Sequence, residues 1–156
     1  MIGNDPRVEV RKTHKLFVGG AFPRSESGRT YEVVNTNGEF LANVAKASRK
    51  DARDSVIAAR TGFNSWSKAT AYNRGQVLYR IAEVMEGRKD QFASDIQDAE
   101  GTSKKKATAQ TDQAIDRVVW YAGWADKYAQ VLGNTNPVSG PFFNFSIPEP
   151  TGVVAA

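Results

Sequence analysis

The sequence predicts an α/β protein in which small antiparallel hairpins precede a helical bundle that leads into a parallel sheet. In the first 45 residues, short apolar runs alternate with Gly- and Asn-containing turns, which is typical of hairpins. Between residues 48 and 132, apolar residues recur at three- and four-residue steps, as in amphipathic helices. Residues 152–156 are apolar throughout, as in a strand that is buried on both faces of a parallel sheet.

The composition limits the chemistry that the chain can perform. Its 156 residues suit one domain with a core of its own, and 40% apolar and 24% charged residues are ordinary for a globular protein. With no cysteine, the chain has no disulfide, thiolate metal site or cysteine nucleophile. The single histidine, His14, does not suffice for a zinc site and is expected to be solvated. The net charge of +4 is dispersed except at residues 104–106, so we expect no nucleic-acid partner.

The N-terminal third is expected to form a flexible arm followed by two hairpins. Residues 1–15 lack a pattern and are assigned to the arm. Residues 16–22 surround a Gly-Gly pair, which can supply the positive φ angles of a two-residue turn. Residues 30–35 and 40–45 are predicted strands, joined by a turn over residues 35–38 that contains Asn-Gly. Nothing in the first 15 residues resembles a secretory signal, and no apolar run reaches the roughly 18 residues of a membrane span. The cytoplasm is therefore the expected location.

Three helices are predicted next. Ser48 is a good N-cap, and Asp51 three residues later completes an approximate capping box. We expect the first helix to end before a link over residues 64–67. A second helix should run over residues 71–86 and a third over residues 88–99, each with one apolar face.

The longest helix is predicted to run without interruption from about residue 111 to 132, with a polar helical lead-in over residues 104–110. Its apolar residues form two rows: Ile115, Val118, Val119, Ala122, Ala129 and Leu132 in one, and Trp120, Trp124 and Tyr128 in the other. Such a wide apolar arc predicts burial on more than one side. Gly123 lies inside the helix at a cost of about 1 kcal/mol relative to Ala, and a close helix crossing would offset that cost.

The C-terminal part is expected to contain two strands. Residues 134–141 are predicted to form a loop, and residues 142–147 a strand with aromatic side chains on both faces. Pro148 and Pro150 cannot donate backbone hydrogen bonds, so this strand should lie at an edge or a bulge. The apolar residues 152–156 should form the first strand of the parallel sheet, which needs neighbours on both sides.

Several familiar site patterns are absent from the sequence. No Gly-x-Gly-x-x-Gly follows a predicted strand. Residues 101–104 resemble a phosphate loop only superficially, because they follow a helix and lack the earlier glycine. Asp95 and Asp98 share a helix face, but that face is opposite the apolar one and is expected to be solvated. We therefore predict no catalytic, cofactor-binding or metal-binding residue in this chain.

One octapeptide carries a family resemblance. Residues 120–127 contain Tyr-Ala-Gly-Trp-Ala-Asp-Lys, which closely resembles a signature helix in the N-terminal part of NAD(P)-dependent aldehyde dehydrogenases. Further segments resemble that family in the same order, at residues 16–22, 27–35, 58–66, 73–82 and 149–154. The resemblance implies the N-terminal part of the aldehyde dehydrogenase fold, whose helices lead into a Rossmann-like sheet. Residues 16–140 would then begin the cofactor-binding domain, and residues 141–156 would start the oligomerisation hairpin and the first strand of that domain.

The resemblance allows two interpretations of the function. The family oxidises an aldehyde to a carboxylic acid with NAD or NADP, but its catalytic Asn, Glu and Cys and its cofactor-binding segments correspond to positions beyond Ala156. The first reading is thus an N-terminal segment of such an enzyme, which binds no cofactor and turns over no aldehyde by itself. The alternative is a non-catalytic, aldehyde-dehydrogenase-like structural or regulatory subunit. Two departures from the family pattern, at residues 36–39 and 98–103, keep that alternative open.

Both readings share an expected partner. The resemblance implies that the segment from Phe142 to Pro150 pairs with another copy of the chain, giving a homo-oligomer.

Overall fold

The computed structural model describes residues 12–156 and shows helices together with two small sheets. The elements in chain order are β1 Thr13–His14, β2 Thr30–Val34, β3 Phe40–Ala45, α1 Arg49–Trp66, α2 Ala71–Glu86, α3 Lys89–Glu100, α4 Lys104–Trp124, α5 Tyr128–Leu132, β4 Asn134–Thr135 and β5 Phe145–Ser146. The strands that form hairpins come before and after the helices, as the sequence predicts.

The N-terminal sheet has the strand order β1-β3-β2, in which β3 is antiparallel to β2 and parallel to β1. The predicted arm is therefore wrong at its end, because Thr13 and His14 pair with Asn43 and Val44. Pairing there satisfies backbone groups on an edge of β3 that would otherwise face solvent. Residues 1–11, the rest of the predicted arm, lie outside the described residues.

Both predicted turns are confirmed. Val18 and Ala21 exchange two backbone hydrogen bonds of 3.0 and 3.1 Å around Gly19 and Gly20. The φ angles of these glycines are 60° and 81°, in the left-handed region that a two-residue hairpin turn requires. The turn between β2 and β3 closes through a 3.0 Å hydrogen bond that the Gly38 amide donates to the Asn35 carbonyl.

Helix α1 begins at the predicted cap. The Ser48 hydroxyl accepts from the Asp51 amide at 3.2 Å, and the Asp51 carboxylate accepts from the Ser48 amide at 2.7 Å. The predicted link over residues 64–67 is wrong, because the helix continues to Trp66. The Ser67 amide still donates to the Phe63 carbonyl at 2.9 Å, so helical hydrogen bonding passes through the segment.

The core lies where α4 packs against α2 and α3. Gly75 of α2 is buried beside α4, and a Cβ added there would lie 3.2 Å from the Ala122 carbonyl oxygen. The predicted close crossing thus depends on Gly75, whereas a Cβ on Gly123 would be 3.7 Å from the Tyr79 hydroxyl. Helix α2 has the predicted bounds, and α3 ends with Gly101 in the left-handed conformation.

The long helix is interrupted, contrary to the prediction. Helix α4 ends at Trp124, and the Ala125 and Lys127 amides donate to carbonyls three residues earlier, at 3.3 and 3.0 Å. The Lys127 ammonium group donates to the Gly123 carbonyl at 2.6 Å and so satisfies one acceptor near the helix end. The chain then resumes as α5, which Gly133 ends as predicted.

The C-terminal part forms a two-stranded ribbon and an irregular segment. Strand β4 lies in the predicted loop and pairs with β5, which is the part of the predicted strand over residues 142–147 that forms. The Asn136 amide also donates to the Asn144 carbonyl at 2.8 Å. Residues 151–156 form no strand ladder in the described part of the chain. A parallel strand needs a neighbouring strand to hydrogen-bond to, and none of the described strands lies beside this segment.

Candidate functional site: an unpartnered apolar face

The carboxylates considered from the sequence do not form a reaction centre. Asp95, Asp98 and Glu100 are exposed on α3, as expected. Among residues 12–156, no group of three or more His, Cys, Asp or Glu side chains is arranged to hold a metal ion. No helix in that range has the length and hydropathy of a membrane span.

The titratable groups with altered pKa values hold secondary-structure elements together. Hydrogen bonds from the Ser48 and Glu26 amides are the main cause that lowers the pKa of Asp51 to about 2. Hydrogen bonds with the Ser25 and Ser48 hydroxyls lower it by smaller amounts. This carboxylate thereby joins the loop before β2 to the start of α1. The Asp112 carboxylate raises the pKa of Lys89 through a hydrogen bond, and that pair joins α3 to α4.

A third shift occurs at the turn after α4. The Lys127 ammonium group lowers the pKa of the Asp126 carboxyl, mainly through a hydrogen bond of 3.0 Å. Both side chains are well exposed. Because the cause is the neighbouring residue in sequence, this pair belongs to the local structure of the turn.

Helix α2 has two apolar rows, of which one is buried. Gly75 and Ala82 are buried on the side that packs against α4. Val77, Ile81 and Val84 form a second row, and all three are exposed. The sequence alone predicted one broad apolar face and did not distinguish these rows.

Helix α4 is also buried on one side and open on the other. Its buried residues are Ala107, Thr111, Ile115 and Ala122. The aromatic side is uncovered, with Trp120 57% and Tyr121 61% exposed. Trp120 packs edge-on against Tyr121 at 5.0 Å between ring centroids and lies 5.4 Å from the Trp124 ring. The prediction of burial on more than one side is therefore wrong within the described residues, because no described element covers the aromatic row.

The β4–β5 ribbon carries the most exposed aromatic side chains. Phe142 and Phe143 are 74% and 79% exposed, and Phe145 and Ile147 are also uncovered. Phe143 and Phe145 contact each other at 5.5 Å between ring centroids. Exposed aromatic clusters of this kind mark protein interaction surfaces.

The last residues lie beside α1 and leave its apolar surface open. Residues 151–155 and the side chains of Val56, Ala59 and Phe63 line a shallow cleft of about 740 Å³. No residue of α1 is buried. Val154 is largely exposed although it belongs to the most apolar segment of the chain.

The exposed side chains of the helices and the ribbon form one larger feature. Large apolar side chains on α1, α2, α4 and the ribbon are exposed, and we call them together the open apolar face. Such a surface suits packing against further protein, and it contains no arrangement for acid–base or nucleophilic catalysis.

Sequence comparison gives the chain relatives that are named as dehydrogenases of different substrates. The model of the aldehyde dehydrogenase family matches residues 22–156. The mitochondrial aldehyde dehydrogenase family 2 member B4 of Arabidopsis thaliana is 35% identical over 153 residues, which cover 96% of this chain and 28% of that protein. The chain spans between 16% and 30% of the lengths of the curated relatives that it matches.

Solved structures show the same fold. An aldehyde dehydrogenase variant from Bacillus cereus superposes with a TM-score of 0.79 at 27% identity, over 86% of this chain and 28% of that one. Betaine aldehyde dehydrogenase from Staphylococcus aureus, solved in complex with NAD+, gives a TM-score of 0.76 at 25% identity, over 82% of this chain and 26% of that one. The predicted fold class and resemblance are therefore confirmed. The chain belongs to the aldehyde dehydrogenase family and corresponds to an N-terminal portion of it.

Proposed function

We propose that the chain is the N-terminal segment of an NAD(P)-dependent aldehyde dehydrogenase, which oxidises an aldehyde to a carboxylic acid. The observation that carries this proposal is the family match over residues 22–156, together with the structural likeness to the Bacillus cereus enzyme. The NAD+ complex of the Staphylococcus aureus relative supports NAD or NADP as the cofactor of the whole enzyme. The cysteine-free composition supports a cytoplasmic location.

The segment itself contributes structural residues to the enzyme and no catalytic ones. The family reaction needs a cysteine that attacks the aldehyde carbon, and this chain has no cysteine. It also has no Gly-x-Gly-x-x-Gly turn of the kind that holds a dinucleotide cofactor. Aldehyde and cofactor are therefore ligands of the whole enzyme, and the 156-residue chain is inactive alone.

The open apolar face is the surface that completes the enzyme. The row at Val77, Ile81 and Val84 would pack against the remainder of the cofactor-binding domain, because fully burying one such side chain contributes about 1.5–3 kcal/mol. The segment from Phe142 to Pro150 would pair with a second copy, as the exposed aromatic residues of the ribbon favour.

A second candidate function is a non-catalytic structural or regulatory subunit. The same ribbon favours it, because Phe142, Phe143 and Phe145 offer a ready contact surface without any catalytic group. In that case the chain would form a stable oligomer alone and would cover its open apolar face by self-association.

A chimeric enzyme tests the first proposal. Residues 22–156 of this chain replace the corresponding segment of the Bacillus cereus aldehyde dehydrogenase, and NADH formation from NAD+ and a short aldehyde is followed at 340 nm. We expect an active, oligomeric chimera. Introducing Ile81→Asp should abolish activity, because a carboxylate would be buried without a partner. The matched control is Asp98→Asn on the exposed side of α3, which should preserve activity.

The isolated chain separates the two candidates. The isolated chain should form no NADH under the same conditions. NADH formation would contradict the proposal that the catalytic residues lie outside this segment. An inactive chimera, combined with a monodisperse oligomer of the isolated chain in sedimentation velocity, would favour the subunit. An active chimera with an aggregating or monomeric isolated chain would favour the enzyme segment.

A further inference from the structure

A basic groove lies at one end of the N-terminal sheet, where β1 leads into the first hairpin. It has a volume of about 370 Å³. Its floor includes Ala45 and Ser25, which are both buried. Two backbone hydrogen bonds hold neighbouring segments together: the Leu16 amide donates to Pro23 at 3.1 Å, and the Lys46 amide donates to Arg29 at 2.9 Å.

Three side chains around this groove carry positive charge. Lys15, Arg24 and Arg29 line it together with the His14 imidazole, and no carboxylate from residues 12–156 belongs to the lining. None of these four side chains forms an ion pair within residues 12–156. Lys15, Arg24 and Arg29 therefore give the groove a positive charge that would favour an anion there.

Two carboxylates near the groove, Glu26 and Asp51, have partners of their own. Glu26 pairs with Lys50 of α1 at 3.9 Å. Asp51 accepts from the Glu26 amide at 3.0 Å and from the Ser48 amide at 2.7 Å. Neither carboxylate belongs to the lining, although Asp51 lies 3.0 Å from the Ser25 hydroxyl at the floor of the groove.

The loop that carries the two arginines is fixed before any ligand arrives. The Ser25 hydroxyl lies 2.7 Å from the Lys46 carbonyl oxygen and 3.0 Å from the Asp51 carboxylate. The Gly28 amide donates to the Ser25 carbonyl at 2.9 Å, and Gly28 has a φ of +66°, which favours glycine. Arg24 and Arg29 thus flank a closed turn, and ordering this loop adds little to the cost of binding.

We propose that this groove binds the phosphate or diphosphate group of a small soluble molecule. Guanidinium groups match phosphate oxygens in paired hydrogen bonds, and a lysine adds a compact third charge. The volume falls within the range of small-molecule sites. The groove lining shares no residue with the open apolar face.

Calorimetric titration of the 156-residue chain with inorganic pyrophosphate tests the proposal. We expect saturable binding with one site per chain, weakened by added salt as charge pairing requires. The double variant Arg24→Gln/Arg29→Gln should lose at least about tenfold in affinity, since hydrogen bonds to charged groups are stronger than neutral ones. The matched control, Lys104→Gln/Lys105→Gln, removes the same charge from an exposed helix end and should change affinity by less than about twofold.

Further measurements separate the proposal from general charge attraction. Both double variants should keep the parental circular dichroism spectrum, and the groove is also tested with the single variants if the arginine pair unfolds. Equal losses in the two double variants, or no saturable binding, would overturn a groove site. Co-sedimentation with phosphatidylserine vesicles or binding to a nucleic-acid oligomer, without pyrophosphate binding, would overturn a soluble phosphate ligand.

Discussion

The bundle of α2, α3 and α4 and the lone helix α1 have similar sequence patterns but opposite surroundings. Helices α2 and α4 cross closely at Gly75 and bury Ala82, Ile115 and Ala122. Helix α1 is 18 residues long, and none of its own residues is buried. Its attachment is at its start, where the Asp51 carboxylate accepts from the loop before β2. The comparison shows that residue spacing in the sequence identifies the apolar rows of a helix. Whether a row is buried depends on another element packing against it.

The largest expected effect contrasts two isoleucines. Ile115→Ala in α4 should lower the free energy of unfolding by about 2–4 kcal/mol, because it leaves a cavity in the core. Ile57→Ala in α1 is its matched control and should cost less than about 1 kcal/mol. Ile115 is 7% exposed and Ile57 is 55% exposed. Urea unfolding followed by circular dichroism measures both, and equal losses would break the distinction between the two regions.

The next effect contrasts two glycines inside helices. Gly75→Val should destabilise the chain by about 1–3 kcal/mol, because the new side chain meets the Ala122 carbonyl oxygen and overpacks the crossing. At Gly62 of α1 an added Cβ meets no atom within 4 Å. Gly62→Val should therefore be neutral or slightly stabilising in the same urea experiment. A stabilising Gly75→Val would show that α2 and α4 can move apart freely.

A smaller effect concerns the start of α1. Ser48→Ala should cost about 1 kcal/mol, because it removes the hydroxyl that accepts from the Asp51 amide. The matched control is Ser65→Ala near the other end of α1, whose hydroxyl donates to the Gly62 carbonyl at 3.0 Å. It should cost less than Ser48→Ala in urea unfolding. Equal costs would mean that the cap does not hold α1.

The pH dependence of the same region follows from Asp51. Its pKa is about 2 in the folded chain, below the usual 3.8, so its contribution to stability is present above the usual value. That contribution should be lost as the pH falls from about 4 through about 2. The difference in melting temperature between the parent and Asp51→Asn should accordingly shrink over this window. A difference that stays constant from pH 7 to pH 2 would contradict the role of the ionised carboxylate.

The smallest expected effect lies on the open apolar face. Ile81→Ser in the isolated chain should change the free energy of unfolding by about 0.5 kcal/mol or less, since the side chain is exposed there. In the chimeric enzyme the same substitution should cost much more, because the row would be covered. The difference between the stability losses in the isolated chain and in the chimera measures how far the remainder of the enzyme buries Ile81.

Most local features of the fold could be predicted because their causes lie within a few residues. The bounds of α2 and β3, the capping box at Ser48 and the Gly19–Gly20 turn all follow from neighbouring residues. The parallel pairing of β1 with β3 could not be predicted in the same way, because it joins segments about 30 residues apart. The absence of catalytic residues from this chain was predicted from the family pattern and stays a prediction.

The sequence by itself determined the family, the bounds of α2 and β3, the cap of α1 and the first two turns, since each depends on local patterns of residue type. Tertiary structure alone decided which apolar row of each helix is buried. It selected Gly75 rather than Gly123 for the tightest crossing of α2 and α4, and it left the aromatic row at Trp120 uncovered. The physical reason is that burial is a property of two surfaces in contact, and the sequence of one surface does not specify where the other lies.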